Sequence, residues 1–322
     1  MEPQIERQIG SVTATAIVIA NMIGAGIFTT SGIVAYFLPN ATLLMLCWLL
    51  GGLIAMAGAL SYTELATRMP HEGGVYIYLK KLYHPSLGFL TGWVSFFVGF
   101  SAPIATSALG FSEYLFAGLP QSIHLVESHL WFYKKFIAVL LIALFTGVHY
   151  LGIKPGAAVQ NILTAAKILI VVGLALAGVT FTGGSHTFVQ QPVGSFNAFQ
   201  FGTAMMIVMF AYSGWNAAAY IAGELRHPRR SLPISLLTGT AIVMVLYLAV
   251  NVFILKAVPF AEMKGVIAIV EKAAVVSFGN WIGSVLSLLV AIMLLSSLSA
   301  FILIGPRVYY AMASDGLFFK FA

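Results

Sequence analysis

The stretch Asn21-Met22-Ile23-Gly24-Ala25-Gly26-Ile27-Phe28 lies in the middle of an apolar segment that runs from residue 10 to residue 37. The segment is long enough to cross a bilayer, and its two glycines predict a break in the helix near mid-depth. Lipid cannot hydrogen-bond the amide and carbonyl groups that a break exposes, so a break survives only where it lines a cavity or holds a solute. We therefore predict a binding site at Gly24 to Gly26.

The composition places the chain in a membrane. Hydrophobic residues make up 60% of its 322 residues and charged residues 8%, whereas soluble domains contain about 25% charged residues. We predict one transmembrane domain whose eight spans are residues 10–37, 41–67, 86–118, 131–150, 156–181, 197–223, 232–257 and 278–313.

The basic residues predict the orientation of this domain. With a cytoplasmic N-terminus, 10 lysines and arginines fall on the inner side and 5 on the outer side, and Lys167 completes the total of 16. This asymmetry favours a multi-pass protein of the plasma or inner membrane with its N-terminus in the cytoplasm. The net charge of +6 does not indicate nucleic acid as a partner, because no basic cluster is interleaved with aromatic residues.

A second interruption, Phe210-Ala211-Tyr212-Ser213-Gly214-Trp215-Asn216-Ala217, lies in the sixth predicted span. Paired interruptions in two halves of a chain are typical of inverted-repeat secondary transporters with a substrate site at the midplane. Half-helix N-termini offer amides to an anion, and C-termini offer carbonyls to a cation. An α-amino acid carries both charges, and we predict it as the substrate. Isolated glycines such as Gly51, Gly52, Gly88 and Gly92 indicate instead where helices approach each other closely.

Four motifs in order resemble the amino acid-polyamine-organocation superfamily, and within it the branch of the L-type amino acid transporters and bacterial permeases. They are Ile23-Gly24-Ala25-Gly26-Ile27-Phe28; Glu64-Leu65-Ala66-Thr67-Arg68-Met69-Pro70 with Gly73-Gly74-Val75-Tyr76; Tyr212-Ser213-Gly214-Trp215-Asn216 with Gly223-Glu224 and Pro228-Arg229-Arg230; and the segment from Gly305 to Gly316. The resemblance implies an all-α, leucine-transporter-type fold of two five-helix inverted repeats that works by alternating access. The eight spans supply the first repeat and three helices of the second, so we expect a fold truncated after the eighth transmembrane helix.

The resemblance also implies roles for residues at the two interruptions. It places the substrate carboxylate against Gly24, Ala25, Gly26 and the start of the half-helix at Ile27. It places the ammonium near the carbonyls of Met22, Ile23, Phe210, Ala211 and Ser213. Phe210 would be an aromatic lid, and Trp215 and Asn216 would shape the side-chain pocket.

Lys167 lies inside the fifth span, where an ionisable residue is costly and points to function. The resemblance implies that its ammonium stands where sodium-coupled relatives bind sodium. Ser296 and Ser299, three residues apart on one face of the eighth span, are its expected neighbours. Two roles stay open: Lys167 exchanges a proton during the cycle, or it is a fixed ammonium that ties spans one, five and eight together.

Other predictions concern the gate and what the chain does not encode. Arg7 and Asp315 would both face the cytoplasm, and we hypothesise an inner-gate ion pair between them. We predict no enzyme, because the sequence has no His-Glu-x-x-His, nucleophile elbow or nucleotide loop. We expect no cofactor and no metal site, since no histidine has the spacing of a metal ligand. The one cysteine, Cys47, lies in an apolar run, so no partner subunit is implied.

The functional prediction is a secondary active transporter of neutral L-amino acids, by proton symport or amino acid exchange. Neutral substrates are favoured because spans one, three and six carry no acidic residue at mid-depth. The alternative is a non-transporting membrane sensor or assembly partner that binds amino acids, or an inactive fragment of a permease. The expected partners are an amino acid, protons and the lipid bilayer.

Overall fold

The computed structural model describes residues 7–119, 127–181 and 196–319, which form a bundle of helices. The helices are α1 (Ser11–Met22), α2 (Gly26–Phe37), α3 (Ala41–Arg68), α4 (Val75–Leu82), α5 (Pro85–Val94), α6 (Ser101–Gly118), α7 (Glu127–Tyr150), α8 (Ile153–Phe181), α9 (Ala198–Ala211), α10 (Pro228–Ala257), α11 (Phe260–Met263), α12 (Ile269–Phe278) and α13 (Trp281–Ser314). A π-helical segment, Ser95–Phe100, joins α5 to α6, and a 3-10 helix, Ala217–Glu224, follows α9.

Six of the described helices are long and apolar enough to cross a membrane: Ala41–Arg68, Pro85–Gly118, His129–Tyr150, Ile153–Gly178, Pro228–Ala257 and Trp281–Ser314. The pair α1 and α2, bent by 41°, makes a seventh when it is counted as one span. The sixth predicted span differs, because α9 has only 14 residues before the helix stops. Whether residues 197–223 form a span, as the sequence predicts, is therefore not tested by the helix lengths, and the count of eight spans stays a prediction.

Local sequence explains where several helices begin. The Asn40 side chain accepts a hydrogen bond of 2.9 Å from the Leu43 amide and caps α3. Asn197 caps α9 in the same way, with the amides of Phe199 and Gln200 at 3.0 and 3.2 Å. Such side chains satisfy amides that the first turn of a helix leaves without an acceptor.

The expected packing glycines lie at close helix contacts. A Cβ atom added at Gly51 would come within 2.7 Å of Val208, and one at Gly92 would come within 2.8 Å of the Met312 methyl group. At Gly52 and Gly88 the neighbours are Met244 and Lys80. The absence of a side chain at these positions allows the helix axes to approach, as in other membrane bundles.

A cluster of three buried aromatic rings joins the helices behind the two interruptions. Trp48 of α3 lies with its ring centroid 5.7 Å from that of Tyr212 and 5.3 Å from that of Tyr247. The rings of Tyr212 and Tyr247 are 5.0 Å apart. All three side chains are fully buried, so this cluster fixes α3 and α10 against the end of α9.

Candidate functional site

The first interruption lies between α1 and α2, where predicted. The helix ends at Met22, and the Gly24 amide turns back to the Met22 carbonyl at 3.0 Å. A new helix starts at Gly26, so the amides of Gly26 and Ile27 lie in a first turn, which has no acceptor within the helix. Space is open beside Gly24, where an added Cβ would have no neighbour within 4 Å. The start of α2 therefore offers amides and a positive dipole end to an anion.

The second interruption follows α9. The chain turns at Tyr212 and Ser213 and then passes through Gly214, whose φ of +100° is in the region that favours glycine. Hydrogen bonds within the segment hold the turn: the Ser213 amide donates to the Phe210 carbonyl and the Ala217 amide to the Gly214 carbonyl, each at 3.1 Å. The helix resumes as the 3-10 helix at Ala217.

The two interruptions contact each other. A Cβ atom added at Gly214 would lie 2.9 Å from the carbonyl carbon of Asn21, and one added at Gly26 would lie 3.3 Å from the Cβ of Ala211. Gly214 thus allows its main chain to approach that of Asn21, and Gly26 lies close to Ala211. The structure therefore brings the two interruptions together at one crossing, with Gly26 beside Ala211 and Gly214 beside Asn21.

Lys167 of α8 reaches the first interruption from the side and is fully buried. Its Nζ donates to the Ile23 carbonyl at 2.6 Å, the Ala20 carbonyl at 3.0 Å and the Ser297 hydroxyl at 2.8 Å. Ser297 itself donates to the same two carbonyls. The ammonium therefore has three acceptors and links α1, α8 and α13.

The predicted serine neighbours of Lys167 were wrong. Ser296 is 3.3 Å from the Thr164 hydroxyl, and Ser299 is 3.0 Å from Nε2 of His149. The sequence placed Ser296 and Ser299 on one face correctly, but α13 is rotated so that Ser297 faces α1. Helix rotation is set by packing against neighbours, which the spacing of serines does not encode.

Tyr247 of α10 is a residue that the sequence analysis missed. Its hydroxyl lies 2.6 Å from the Met22 carbonyl and 3.1 Å from the Ala211 carbonyl, which are the last residues of α1 and α9. One buried hydroxyl thus contacts the C-terminal ends of both half-helices. No motif marks this position, because a tyrosine in an apolar span is common in core packing.

A row of polar side chains on α8 was also missed. Gln160 donates to Thr164 at 3.0 Å, and Asn161 donates to Thr13 of α1 at 2.9 Å. Gln160, Thr164 and Lys167 recur every three or four residues, which places them on one face. That periodicity was a readable signal, and it marks the face of α8 that packs on α1 and α13.

The predicted pocket residues of the second run take different environments. Trp215 packs against α3, where an added Cβ at Gly58 would lie 2.8 Å from the indole, and its ring centroid is 4.9 Å from that of Tyr62. Asn216 is half-buried just before the 3-10 helix. Phe210 is 80% exposed and does not cover the crossing in this conformation.

The inner ends of the helices are joined differently from the hypothesised gate. Asp315 pairs with Nζ of Lys80 at 2.6 Å and accepts a hydrogen bond of 2.5 Å from Tyr76, and no ion pair of the described residues includes Arg7. The hypothesis of an Arg7–Asp315 ion pair is therefore wrong. Helix α4 packs beneath α13 and supplies Lys80 as the cation nearest to Asp315. Burial, with the hydrogen bond and charge of Asp315, raises the pKa of Tyr76 above its ordinary value, so the hydroxyl stays protonated as a donor.

At the same end of the bundle, main-chain hydrogen bonds and a buried ion pair join the segment before α1 and α13 to the end of the second interrupted run. The Ile9 amide donates to the Glu224 carbonyl at 2.9 Å, and the Arg226 amide donates to the Ile9 carbonyl at 3.0 Å. The Glu224 carboxylate, 3% exposed, binds Nε and Nη2 of Arg307 at 2.6 and 3.1 Å. The segment before α1 is therefore held to the end of the second interrupted run.

At the opposite end, the loop between α10 and α12 packs on α2. The Gly265 amide donates to the Gly32 carbonyl at 2.9 Å. Gly32 has no room for a side chain, because an added Cβ would overlap the Val266 carbonyl. Within the described residues, no group of three His, Cys, Asp or Glu side chains could hold a metal ion.

Comparisons with known proteins agree with this architecture. A profile of the amino acid permease family matches residues 9–322. The serine/threonine exchanger SteT of Bacillus subtilis is 30% identical over 315 residues, which are 96% of this chain and 68% of that protein. The human large neutral amino acids transporter small subunit 2 is 28% identical over 322 residues, with 97% of this chain and 58% of that protein covered.

A third relative is the human b(0,+)-type amino acid transporter 1, which is 29% identical over 287 residues. The match covers 86% of this chain and 55% of that protein. The chain thus spans between 55% and 68% of the length of these three relatives. The relatives are transporters and exchangers of amino acids, not enzymes.

Proposed function

The chain belongs to the amino acid permease family, and from that premise we propose that it is a secondary active transporter of neutral L-amino acids. Transport would proceed by alternating access, with proton symport or amino acid exchange as the driving process. The observation that carries the proposal is the crossing of the two interruptions, at Gly26 against Ala211 and Gly214 against Asn21. A leucine-transporter-type repeat is part of the same proposal, because it is the arrangement in which such a crossing binds substrate.

In this proposal the substrate carboxylate binds the first turn of α2, at Gly24, Ala25, Gly26 and Ile27. The amides of that turn would donate to the carboxylate, and the open space beside Gly24 leaves room for it. The ammonium binds carbonyls of the second run, namely that of Ser213 and that of Phe210, which also accepts from the Ser213 amide. The carbonyls of Met22 and Ala211 already accept from Tyr247, and that of Ile23 accepts from Lys167. Span six would therefore carry more of the ammonium contact than span one.

The pocket for the substrate side chain would be formed by Trp215 and Asn216, with Phe210 closing over it. The Phe210 ring is 80% exposed and leaves the crossing uncovered, so this role requires the ring to turn toward the substrate. Neutral substrates are supported by the position of the acidic residues in the interrupted and neighbouring spans. Glu224 is at the inner end and is bound to Arg307, and Glu113 is near the far end of α6 with Lys134.

Lys167 would replace a coupling ion, and two roles are proposed for it. Either it exchanges a proton in each cycle, or it is a fixed ammonium that orders the first interruption. The three acceptors around it support both roles. If it carries the proton, uptake depends on pH, and Lys167→Ala abolishes that dependence while amino acid exchange persists. Wild-type uptake that does not change with pH leaves only the fixed role.

The membrane placement is part of the proposal. We propose a cytoplasmic N-terminus in a plasma or inner membrane, because the basic residues concentrate at the end that holds Ile9, Glu224 and Asp315. The name of one relative calls it a small subunit, which is said of that protein. For this chain we propose no disulfide-linked partner, because Cys47 is fully buried in α3.

The first test is uptake of a panel of radiolabelled amino acids into proteoliposomes that contain the chain. One set of vesicles carries an inward proton gradient, and a second set is preloaded with amino acid. Saturable uptake in the first set indicates symport, and uptake in the second set alone indicates exchange. Gly26→Val is expected to abolish uptake with membrane insertion retained, because its methyl groups would fill the carboxylate site and press on Ala211. Gly147→Val, in open space on α7, is the matched control.

The second candidate function is amino acid binding without transport, as in a sensor or assembly partner. Ligand binding measured by calorimetry, without uptake in either set of vesicles, would support this candidate. The absence of both binding and uptake would contradict the proposed site.

A further inference from the structure

Three arginines lie at and just before the start of α10. Arg226, Arg229 and Arg230 are all exposed, and none of them takes part in an ion pair within the part of the chain that the structure describes. The pairs recorded at this end use other cations: Glu64 binds Arg68 at 2.7 Å, Glu224 binds Arg307 at 2.6 Å and Asp315 binds Lys80 at 2.6 Å. The three positive charges, which lie within five residues of sequence, are therefore not paired with a carboxylate of the described residues.

The arginines continue an exposed apolar stripe of α10. Ile234, Ile242 and Val245 are 39%, 39% and 60% exposed, and Thr238 between them is exposed as well. These positions recur every three or four residues, so they lie on one face of the helix. Arg230 precedes Ile234 by four residues and lies on that same face. The stripe thus ends in a positive charge at the N-terminal end of α10.

We propose that this surface, which consists of the three arginines and the stripe above them, binds an anionic phospholipid. The phosphate would contact the guanidinium groups of Arg226, Arg229 and Arg230, and one acyl chain would lie along the stripe. Guanidinium groups suit phosphate because they donate in a planar fork. The inference goes beyond the proposed transport and does not depend on it, because the surface lies outside the helix crossing.

The lysines at the opposite end of the bundle differ from the three arginines, and the difference supports an anionic lipid at the arginine end only. There, Lys134 pairs with Glu113, Lys272 lies 3.3 Å from Glu262, and Lys135 lies 3.9 Å from the centre of the Trp131 ring. Those three lysines are engaged, whereas no carboxylate in ranges 7–119, 127–181 and 196–319 forms an ion pair with the three arginines. Clusters of basic residues beside a membrane helix attract anionic lipid, and the attraction is screened by salt.

The experiment measures the melting temperature of the purified chain in maltoside micelles while lipid is added. Phosphatidylglycerol, phosphatidylcholine and soluble glycerol phosphate are compared at low and high salt. We expect phosphatidylglycerol alone to raise the melting temperature, and high salt to weaken the rise. The variant in which all three arginines are replaced by glutamine should need at least about tenfold more phosphatidylglycerol for the same rise. The matched control replaces Lys134, Lys135 and Lys272, the engaged lysines of the opposite end, by glutamine and should respond to phosphatidylglycerol like the wild type.

Each remaining outcome is decisive. Equal effects of phosphatidylglycerol and phosphatidylcholine on the wild type would overturn the proposal, and so would an unchanged response of the arginine variant. An equal effect of glycerol phosphate would show a site for soluble phosphate and would contradict the role of the stripe. If the triple variant does not fold, Arg230→Gln alone is compared with Arg230→Lys. The proposal requires a weaker phosphatidylglycerol response in the first than in the second.

Discussion

The interruption between α1 and α2 is completed by side chains from other helices, whereas the interruption after α9 is completed mainly by its own main chain. In the first, Lys167, Ser297 and Tyr247 donate to carbonyls at the end of α1. In the second, amides of Ser213, Ala217 and Ala219 each donate to the carbonyl three residues back. The first break is thus a product of tertiary packing, and the second is set by local conformation. Substitutions should therefore act on the two breaks in different ways.

The largest effect is expected at the local break. Gly214→Val places a β-branched residue at a φ of +100° and adds a Cβ 2.9 Å from the Asn21 main chain. We expect a loss of about 3 kcal/mol or more of unfolding free energy, from backbone strain and overlap together. Thermal unfolding in detergent measures it, and Gly202→Ala in the open middle of α9 is the control. A variant as stable as the wild type would show that the break does not depend on glycine.

The next effect tests the one contact that both breaks share. Tyr247→Phe removes a hydroxyl that contacts the Met22 and Ala211 carbonyls, and we expect a loss of about 1–2 kcal/mol of unfolding free energy. It should also raise the KM for uptake, since the two half-helices are no longer joined. Tyr212→Phe is matched in burial, but its hydroxyl donates to the Trp48 carbonyl within a continuous helix. That control should lose stability and keep the wild-type KM; equal KM values in both variants would remove the link between the breaks.

The smallest effect concerns the tertiary break. Ser297→Ala removes one of the three acceptors of Lys167 and a second donor to the Ala20 and Ile23 carbonyls, but Lys167 still donates to both carbonyls, so we expect a loss of about 1 kcal/mol of unfolding free energy. Ser299→Ala, which affects the contact with His149, should leave the pH dependence of uptake as in the wild type. A shift of that dependence in Ser297→Ala alone would assign the serine to the Lys167 site. A shift in Ser299→Ala alone would contradict the geometry.

The same comparison explains what the sequence could predict. Both interruptions were predicted, because Gly24, Gly26 and Gly214 are helix-breaking residues that can be recognised from the sequence alone. Lys167 was also predicted, since a charge inside an apolar run is conspicuous. The partners of these residues were not. Ser297 in place of Ser296 or Ser299, and Lys80 in place of Arg7, depend on the rotation of α13 and the docking of α4. These are settled by packing between distant parts of the chain.

Tyr247 illustrates the same limit from the other side. Its position in α10 is 36 residues from Ala211 and 225 residues from Met22. A contact over such separations leaves no periodic trace in the sequence. The row on α8, by contrast, repeats at Gln160, Thr164 and Lys167 and could have been found from its spacing alone.

The main-chain pairing of Ile9 with Glu224 and Arg226 has a statistical consequence. Two such bonds are worth about 1 kcal/mol each, so on their own they would leave the joint separated in on the order of 3% of molecules at any moment. A minority state of that size is large enough to be visited continually without any external trigger. Because amides and carbonyls form these two bonds, proline at position 226 would remove one of the two donors, whereas any other residue there would keep it.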